Sequence, residues 1–277
     1  MDDIFGQMLA RYPLTTRDDE RNAKHEVMQQ IALAGLYRGN FFDKAAFYGG
    51  TCLRIFHGLE RFSEDMDFSL LAPEYGFLIE KYFDAIKDEF NALGREVEIR
   101  KKKKTTKSNI ESAFLKDNTD IYNIRFQTEP SIKIKLEIDT DPPKGFQTES
   151  KLLMAPFSFM TRCYSLPSLF AGKMHAFLFR GWSNRVKGRD WYDLEWYVRN
   201  NVLLNLDHFL ERGRQSGKIE KEDLSGKEFI ELVQRRIEKT NIEMVKADVA
   251  PFIKNRQSME TWSTEYFFQL AEKIRVE

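Results

Sequence analysis

The chain is poor in several features that would assign it a class at once. It has two cysteines, Cys52 and Cys163, in 277 residues, which excludes a disulfide-framed scaffold. No apolar run approaches the ~20 residues of a membrane span, and the N-terminus shows no basic-then-apolar leader pattern. A soluble, cytoplasmic protein without a membrane partner is therefore expected. The formal net charge is zero, so no global field draws the chain to nucleic acid or lipid. The four histidines, at 25, 57, 175 and 208, show no metal-ligand spacing. No repeat, low-complexity linker, or Ser/His/Asp or Cys/His arrangement stands out.

What is present is 42% hydrophobic and 31% charged sequence, enough for a sizeable core in one large domain or two moderate ones. Residues 16–38 read as a helix, with Thr16 as cap, acids in the first turn, and Val27, Ile31 and Ala34 at helical spacing. "AAFYGG" reads as a short buried strand ending in glycines, "TCLRIFHGL" as a helix and "DMDFSLL" as a strand. Residues 74–94 read as an amphipathic helix with Leu78, Tyr82, Ile86, Phe90 and Leu93 in one stripe, stopped by Gly94. "REVEIRKKKKTTK" reads as an edge strand. "TDIYNIRFQTE" and "SIKIKLEIDT" alternate with period two, as half-buried strands do. From Leu166 strand signals nearly vanish, and helices are expected at about 166–180, 189–200, 203–214, 225–239 and 260–275. The expected organisation is a mixed α/β segment, residues 1–160, followed by a helical one, residues 161–277.

Within "GGTCLRIFHGLERFSEDMDF", Asp65 and Asp67 lie two apart on a strand and so point to one face. Adjacent unpaired carboxylates resist joint ionisation. A divalent cation relieves them, and hard oxygen ligands suit Mg²⁺ or Mn²⁺. Gly49 and Gly50 let backbone N–H groups approach an anion, and the helix starting near Thr51 adds its dipole. The bland alternative is a loop of solvated acids after an ordinary turn. On "SIKIKLEIDT", Lys133, Lys135, Glu137 and Asp139 share the polar face. Glu137 and Asp139 are each candidates for a third carboxylate, and an exposed Lys/Glu face is the alternative.

Together these residues resemble the first motif of the DNA polymerase β-like nucleotidyltransferase superfamily, a glycine turn, a helix and Asp-x-Asp. The "RFSEDMDF" form is similar to the AbiEii/AbiGii toxin-type branch, as is "SLPSLFAGKMHAFLFRGWSNRVKGRDWYDL" downstream. The resemblance spans about residues 25–200. It implies an α+β nucleotidyltransferase fold, a small mixed sheet with flanking helices followed by a helical bundle. It implies transfer of a nucleoside monophosphate from an NTP, with Mg²⁺ or Mn²⁺ as cofactor. It also implies a toxin countered by an antitoxin protein in a type IV system, with a tRNA 3′ end as first acceptor. A protein Ser, Thr or Tyr acceptor, or a non-catalytic nucleotide-binding module, are the alternatives. Carried over, Asp65, Asp67 and Glu137 resemble the metal ligands, with Asp139 as second choice. Gly49, Gly50 and Thr51 resemble the triphosphate turn, and Arg61 and Ser63 flank the acids within reach of phosphate oxygens. Lys173 resembles the downstream lysine, and Asp190 and Asp193 the closing acids.

Residues 162–199 carry seven Lys or Arg (162, 173, 180, 185, 187, 189 and 199) against Asp190, Asp193 and Glu195, a local excess of four positive charges. Such an excess suits a triphosphate or an RNA backbone. Lys173 and Arg180 are seven apart and share a helix face, while Arg180, Arg185, Lys187 and Arg189 cluster around "GWSNRVKG". For Arg185 and Arg199 solvation is the simpler reading. Lys173, flanked by Phe170, Met174 and Phe177, needs an anion or a carboxylate partner; Asp190 is either that partner or a cap in the first turn of the next helix. The "RKKKKTTK" run reads as a solvated strand end that blocks edge pairing, with an RNA contact as the second reading. Trp191, Tyr192, Trp196 and Tyr197 are expected in the core.

Overall fold

In the computed structural model, residues 3–101, 119–129, 132–180 and 186–277 are described. The chain begins with α1 (Ile4–Leu9) and α2 (Arg17–Arg38), then β1 (Ala45–Tyr48), α3 (Gly49–His57), β2 (Asp65–Leu70) and α4 (Phe83–Ala92). Strands β3 (Val97–Lys101), β4 (Thr119–Phe126), β5 (Lys133–Asp139), β6 (Thr148–Leu153) and β7 (Phe159–Tyr164) follow. After them come α5 (Leu166–Phe179), α6 (Gly188–Arg199), β8 (Leu203–Leu204), α7 (Leu206–Gln215), α8 (Gly226–Glu238), α9 (Ile242–Val249), α10 (Thr264–Ala271) and β9 (Arg275–Val276).

Seven strands form one mixed sheet in the order β3-β4-β5-β2-β1-β7-β6. β2 runs antiparallel to β1 and parallel to β5, and β1 runs parallel to β7. The alternation read in "KIKLEID" is real: Ile134, Leu136 and Ile138 are fully buried, while Lys133, Lys135 and Glu137 keep solvent access. β3 lies at the sheet edge, as expected. The lysine run continues from it into residues 102–107, which lie outside the described residues.

Helix α2 starts where Thr16 and Asp19 form a reciprocal capping box. Its Val27, Ile31 and Ala34 are fully buried. The helix expected at 74–94 is shorter. Gly76 takes φ +85°, a left-handed turn that breaks the run, so regular helix starts at Phe83 after a 3₁₀ turn at Ile79–Tyr82. Leu78 consequently leaves the stripe and is 59% exposed. Gly94, φ +67°, ends the helix region.

Strands β6 and β7 carry no clear sequence signal. β6 alternates only between exposed and half-buried positions because it forms the other sheet edge. β7 runs through residue 160 and is held between β1 and β6. The helices expected after Leu166 are present with shifted ends: β8 and β9 pair at Leu203–Arg275, which delays α7 to Leu206 and trims the last helix. α1 and α9 were not anticipated. Helix α5 touches α3, α6, α7 and α8, and so links the helical segment to the glycine turn. Among the described residues no helix is long and apolar enough to cross a membrane.

Helices α2 and α4 cross at Gly35, where a Cβ would stand 2.6 Å from the Ile86 Cα. Gly35→Ala must therefore separate two backbones in a packed layer, and is expected to destabilise the fold by about 1–3 kcal/mol. Urea unfolding reads the loss.

Candidate active site

The site begins where β1 turns into α3. Tyr48 pairs with Asp67 across the sheet. Gly49 then adopts φ +83°, and a Cβ there would fall 2.2 Å from Asp67 Oδ2. Only glycine brings the turn this close to a carboxylate. At Gly50 a Cβ would meet Arg61 Nη2 at 2.7 Å and Ser63 Oγ at 3.0 Å. Thr51 is fully buried; its hydroxyl donates to the Asp65 carbonyl and lies 2.9 Å from Ser63 Oγ. Gln29 Nε2 donates to the Ser63 and Glu64 carbonyls, each at 3.0 Å. The turn and the loop before β2 are thereby locked together.

Parallel pairing of β2 and β5 sets Asp65 opposite Lys135, Asp67 opposite Glu137 and Ser69 opposite Asp139. Four carboxylates, Asp65, Asp67, Glu137 and Asp139, and the Lys135 ammonium thus share one sheet face. Burial, reinforced by Glu137 and Asp65, pushes the Asp67 carboxyl up to about 8, with Lys135 and Lys173 opposing. Lys135 pairs with Glu137. Asp139 is buried and its Oδ1 accepts from the Asp141 N–H at 3.1 Å. The register therefore ranks Glu137 ahead of Asp139 as Asp67's companion. Hard oxygen donors and a carboxyl reluctant to ionise alone are the chemistry a divalent cation fits. Among the described residues no three or more His, Cys, Asp or Glu side chains are gathered closely enough to hold a metal ion as they stand.

The downstream residues converge on two buried acids. Lys173 Nζ lies 3.0 Å from Asp190 Oδ1 and 2.8 Å from Asp193 Oδ2. The anionic partner its apolar neighbours demanded is thus Asp190, with Asp193 added. Arg61 grips Asp193 with Nε at 2.5 Å and Nη2 at 2.6 Å, so its guanidinium is engaged by protein rather than open to a phosphate. Arg180 Nη1 is 3.4 Å from Asp190 Oδ2. Burial would raise the Asp190 carboxyl, but Lys173 and Arg180 hold it at about 2. For Asp193 burial likewise raises and Arg61 and Lys173 lower, with a net fall. Burial, then Arg189 and Arg180, bring the Lys187 ammonium down to about 8. Arg189 lies over the Phe252 ring at 4.2 Å. Trp191 and Tyr197 are core residues, as expected, and Tyr197 stacks on Phe170 at 4.3 Å. Arg185 lies outside the described residues.

Two clusters therefore meet: acids on the sheet and cations around α5 and the start of α6. Lys135 had no role in the sequence reading, although its alternation with Glu137 put it on the same face.

A mixed sheet with a glycine turn beside paired strand acids defines a nucleotidyltransferase. The family model described as nucleotidyl transferase AbiEii toxin, of type IV toxin–antitoxin systems, matches residues 31–270, and the chain belongs to that family. JHP933 from Helicobacter pylori is similar in fold, with TM-score 0.55 and 17% identity over 91% of each chain. A second H. pylori structure, assigned as a candidate nucleotidyltransferase, gives TM-score 0.48 and 19% identity over 90% of this chain and 92% of its own. No curated protein matches.

Arg61 and Asp193 are both almost fully buried. Arg61→Met leaves an acid short of its partner and is expected to destabilise by about 3–5 kcal/mol, seen as a lower urea midpoint. A second expectation concerns Asp67. Its carboxyl titrates higher folded than unfolded, so its contribution is complete below about pH 4 and is lost as pH rises through about 8. In EDTA, Asp67→Asn should match wild type near pH 4 and exceed it in melting temperature by a margin that grows toward pH 8. Added Mn²⁺ should raise the wild type and not the variant.

Proposed function

We propose that the protein transfers a nucleoside monophosphate from an NTP to an acceptor hydroxyl, first of all a tRNA 3′ end, and releases pyrophosphate. The observation that carries this reading is the placement of Asp67 opposite Glu137 beside a turn only glycine can make. The family's place in type IV toxin–antitoxin systems makes an antitoxin the expected protein partner.

Asp65, Asp67 and Glu137 would hold Mg²⁺ or Mn²⁺, which supplies Lewis-acid charge at the phosphate undergoing attack. The Gly49–Gly50 turn offers backbone N–H groups to phosphate oxygens at the start of α3. Arg180, Lys187 and Arg189 offset the charge of the triphosphate. Lys173 is held by Asp190 and Asp193 at the border of the two clusters, which fixes its ammonium in place. The acceptor oxygen forms a bond to the α-phosphorus, the bond to the bridging oxygen breaks, and pyrophosphate leaves with that electron pair. The acceptor's proton passes to Glu137. Arg61, Thr51 and Ser63 act by holding the turn rather than by touching nucleotide. Residues 1–160 supply the acids and residues 161–277 most of the cations.

Incubation with each labelled NTP, tRNA and cell lysate tests the reading. Label should enter RNA, and Asp65→Ala should abolish both labelling and growth inhibition while leaving the melting profile intact. Label in protein instead would assign nucleotidylation of a side chain. Metal-independent NTP binding with no labelled product would identify a non-catalytic module.

A further inference from the structure

Lys135 is the one cation set by strand register among the acids of the sheet face. Parallel pairing places it directly opposite Asp65. Its ammonium pairs with Glu137 Oε1, two residues along the same strand. Side chains two apart on a strand point the same way, so the pair lies on the face that carries Asp65 and Asp67. On its other flank Lys135 faces Asn123 of β4, which carries no charge. The acids beside it, Asp65 and Glu137, are both acids that a cation at this site needs.

This pair is not sealed from water. The Lys135 side chain is 29% exposed and that of Glu137 19%. A flexible four-carbon stem with solvent access can carry its ammonium away without stranding a buried charge. Asp193 is the contrasting case, since it is fully buried between Arg61 and Lys173 and neither partner can leave it cheaply. Clustered carboxylates need positive charge, and either an ammonium or a divalent cation supplies it. The two do not share Glu137 well. With Lys135 on one carboxylate oxygen, a cation on the other would stand close to the ammonium and be repelled by it. With Glu137 drawn to Lys135, the acids among the described residues do not stand close enough together to hold a metal ion.

We propose that Lys135 and the divalent cation compete for Glu137. The ammonium is the counter-ion of the sheet acids when no cation is bound, and it releases Glu137 when the cation enters. This rests on the nucleotidyltransferase reading above, which puts the cation at Asp65, Asp67 and Glu137, and adds to it a residue that sets how tightly the cation is held.

Mn²⁺ binding to the full-length protein is measured by loss of the free-ion EPR signal, and melting temperature is measured in EDTA and in saturating Mn²⁺. Lys135→Met keeps most of the stem and removes the charge. It should bind Mn²⁺ about tenfold tighter than wild type, melt below wild type in EDTA, and close that gap in Mn²⁺. Lys135→Arg should bind like wild type. In a Glu137→Gln background the gain from Lys135→Met should fall below about twofold, because the contested carboxylate is gone. Lys135→Gln replaces the methionine variant if that one does not fold. Unchanged or weaker Mn²⁺ binding in the neutral variants, an equal gain with and without Glu137, or a melting gap that Mn²⁺ leaves open would each overturn the proposal. Asp67→Asn separates it from the reading beneath it. If that variant binds Mn²⁺ as wild type does, the cation is not at these acids and the underlying reading fails as well. If it loses binding while the neutral variants at 135 match wild type, the competition alone is overturned. Wild type and neutral variants that all take up no Mn²⁺ overturn both.

Discussion

Asp193 is fully buried, and its carboxylate is shared between Arg61, in the loop that leads into β2, and Lys173, on α5. Those three residues come from parts of the chain that share no local structure. Their contact fixes where the helical segment sits against the sheet. An ion pair of this kind adds little net stability over an apolar replacement, but leaving one member unpaired is strongly unfavourable. Its effect is therefore on geometry: of the ways α5 and α6 might pack on the sheet, those that leave Arg61 or Asp193 unmatched are disfavoured. The Gly49 turn, the β2 acids and the α5 lysine are held in register with one another by this one carboxylate.

With that frame fixed, the sheet can hold an arrangement that opposes its own stability. Asp65, Asp67 and Glu137 are aligned by backbone pairing, not by attraction. Lys135 relieves part of the repulsion by pairing with Glu137, and Lys173 acts on Asp67 from the other side. Neither is enough to bring the Asp67 carboxyl to its ordinary range. Perturbation of this kind, from burial plus specific charged neighbours, clusters at functional sites.

The sequence revealed the parts of this that depend on strict periodicity. Asp65 with Asp67, and Lys135 with Glu137, alternate against fully apolar partners, so their common face could be read directly. The choice between Glu137 and Asp139 could not, because it depends on which residue of β2 each one faces, and strand register is a tertiary property. Lys173 was legible for a different reason: a lysine among phenylalanines requires an acid, and Asp190 was the acid at hand. Arg61 shows the opposite case. Its neighbourhood suggested a phosphate ligand, but its partner lies 132 residues away and no local pattern announces it. Strand β6 escaped notice because an edge strand exposed along much of its length has no apolar alternation to display, and β7 because its buried face sets the polar Thr161 between Phe159 and Cys163.

Arg236 extends the same lesson. A basic residue in the last turn of a helix is read as a solvated charge that favours the helix dipole. Nothing within α8 distinguishes Arg236 from Arg235, yet Arg235 is exposed and Arg236 is half-buried with its Nε enclosed. The difference is the face on which each falls once α8 docks against α5. A sheet rich in carboxylates and a helical layer rich in cations would each repel or scatter their own charges in isolation. Set against each other across Lys173, which pairs with Asp190 and Asp193 and also acts on Asp67, each layer offsets charge that the other could not hold alone.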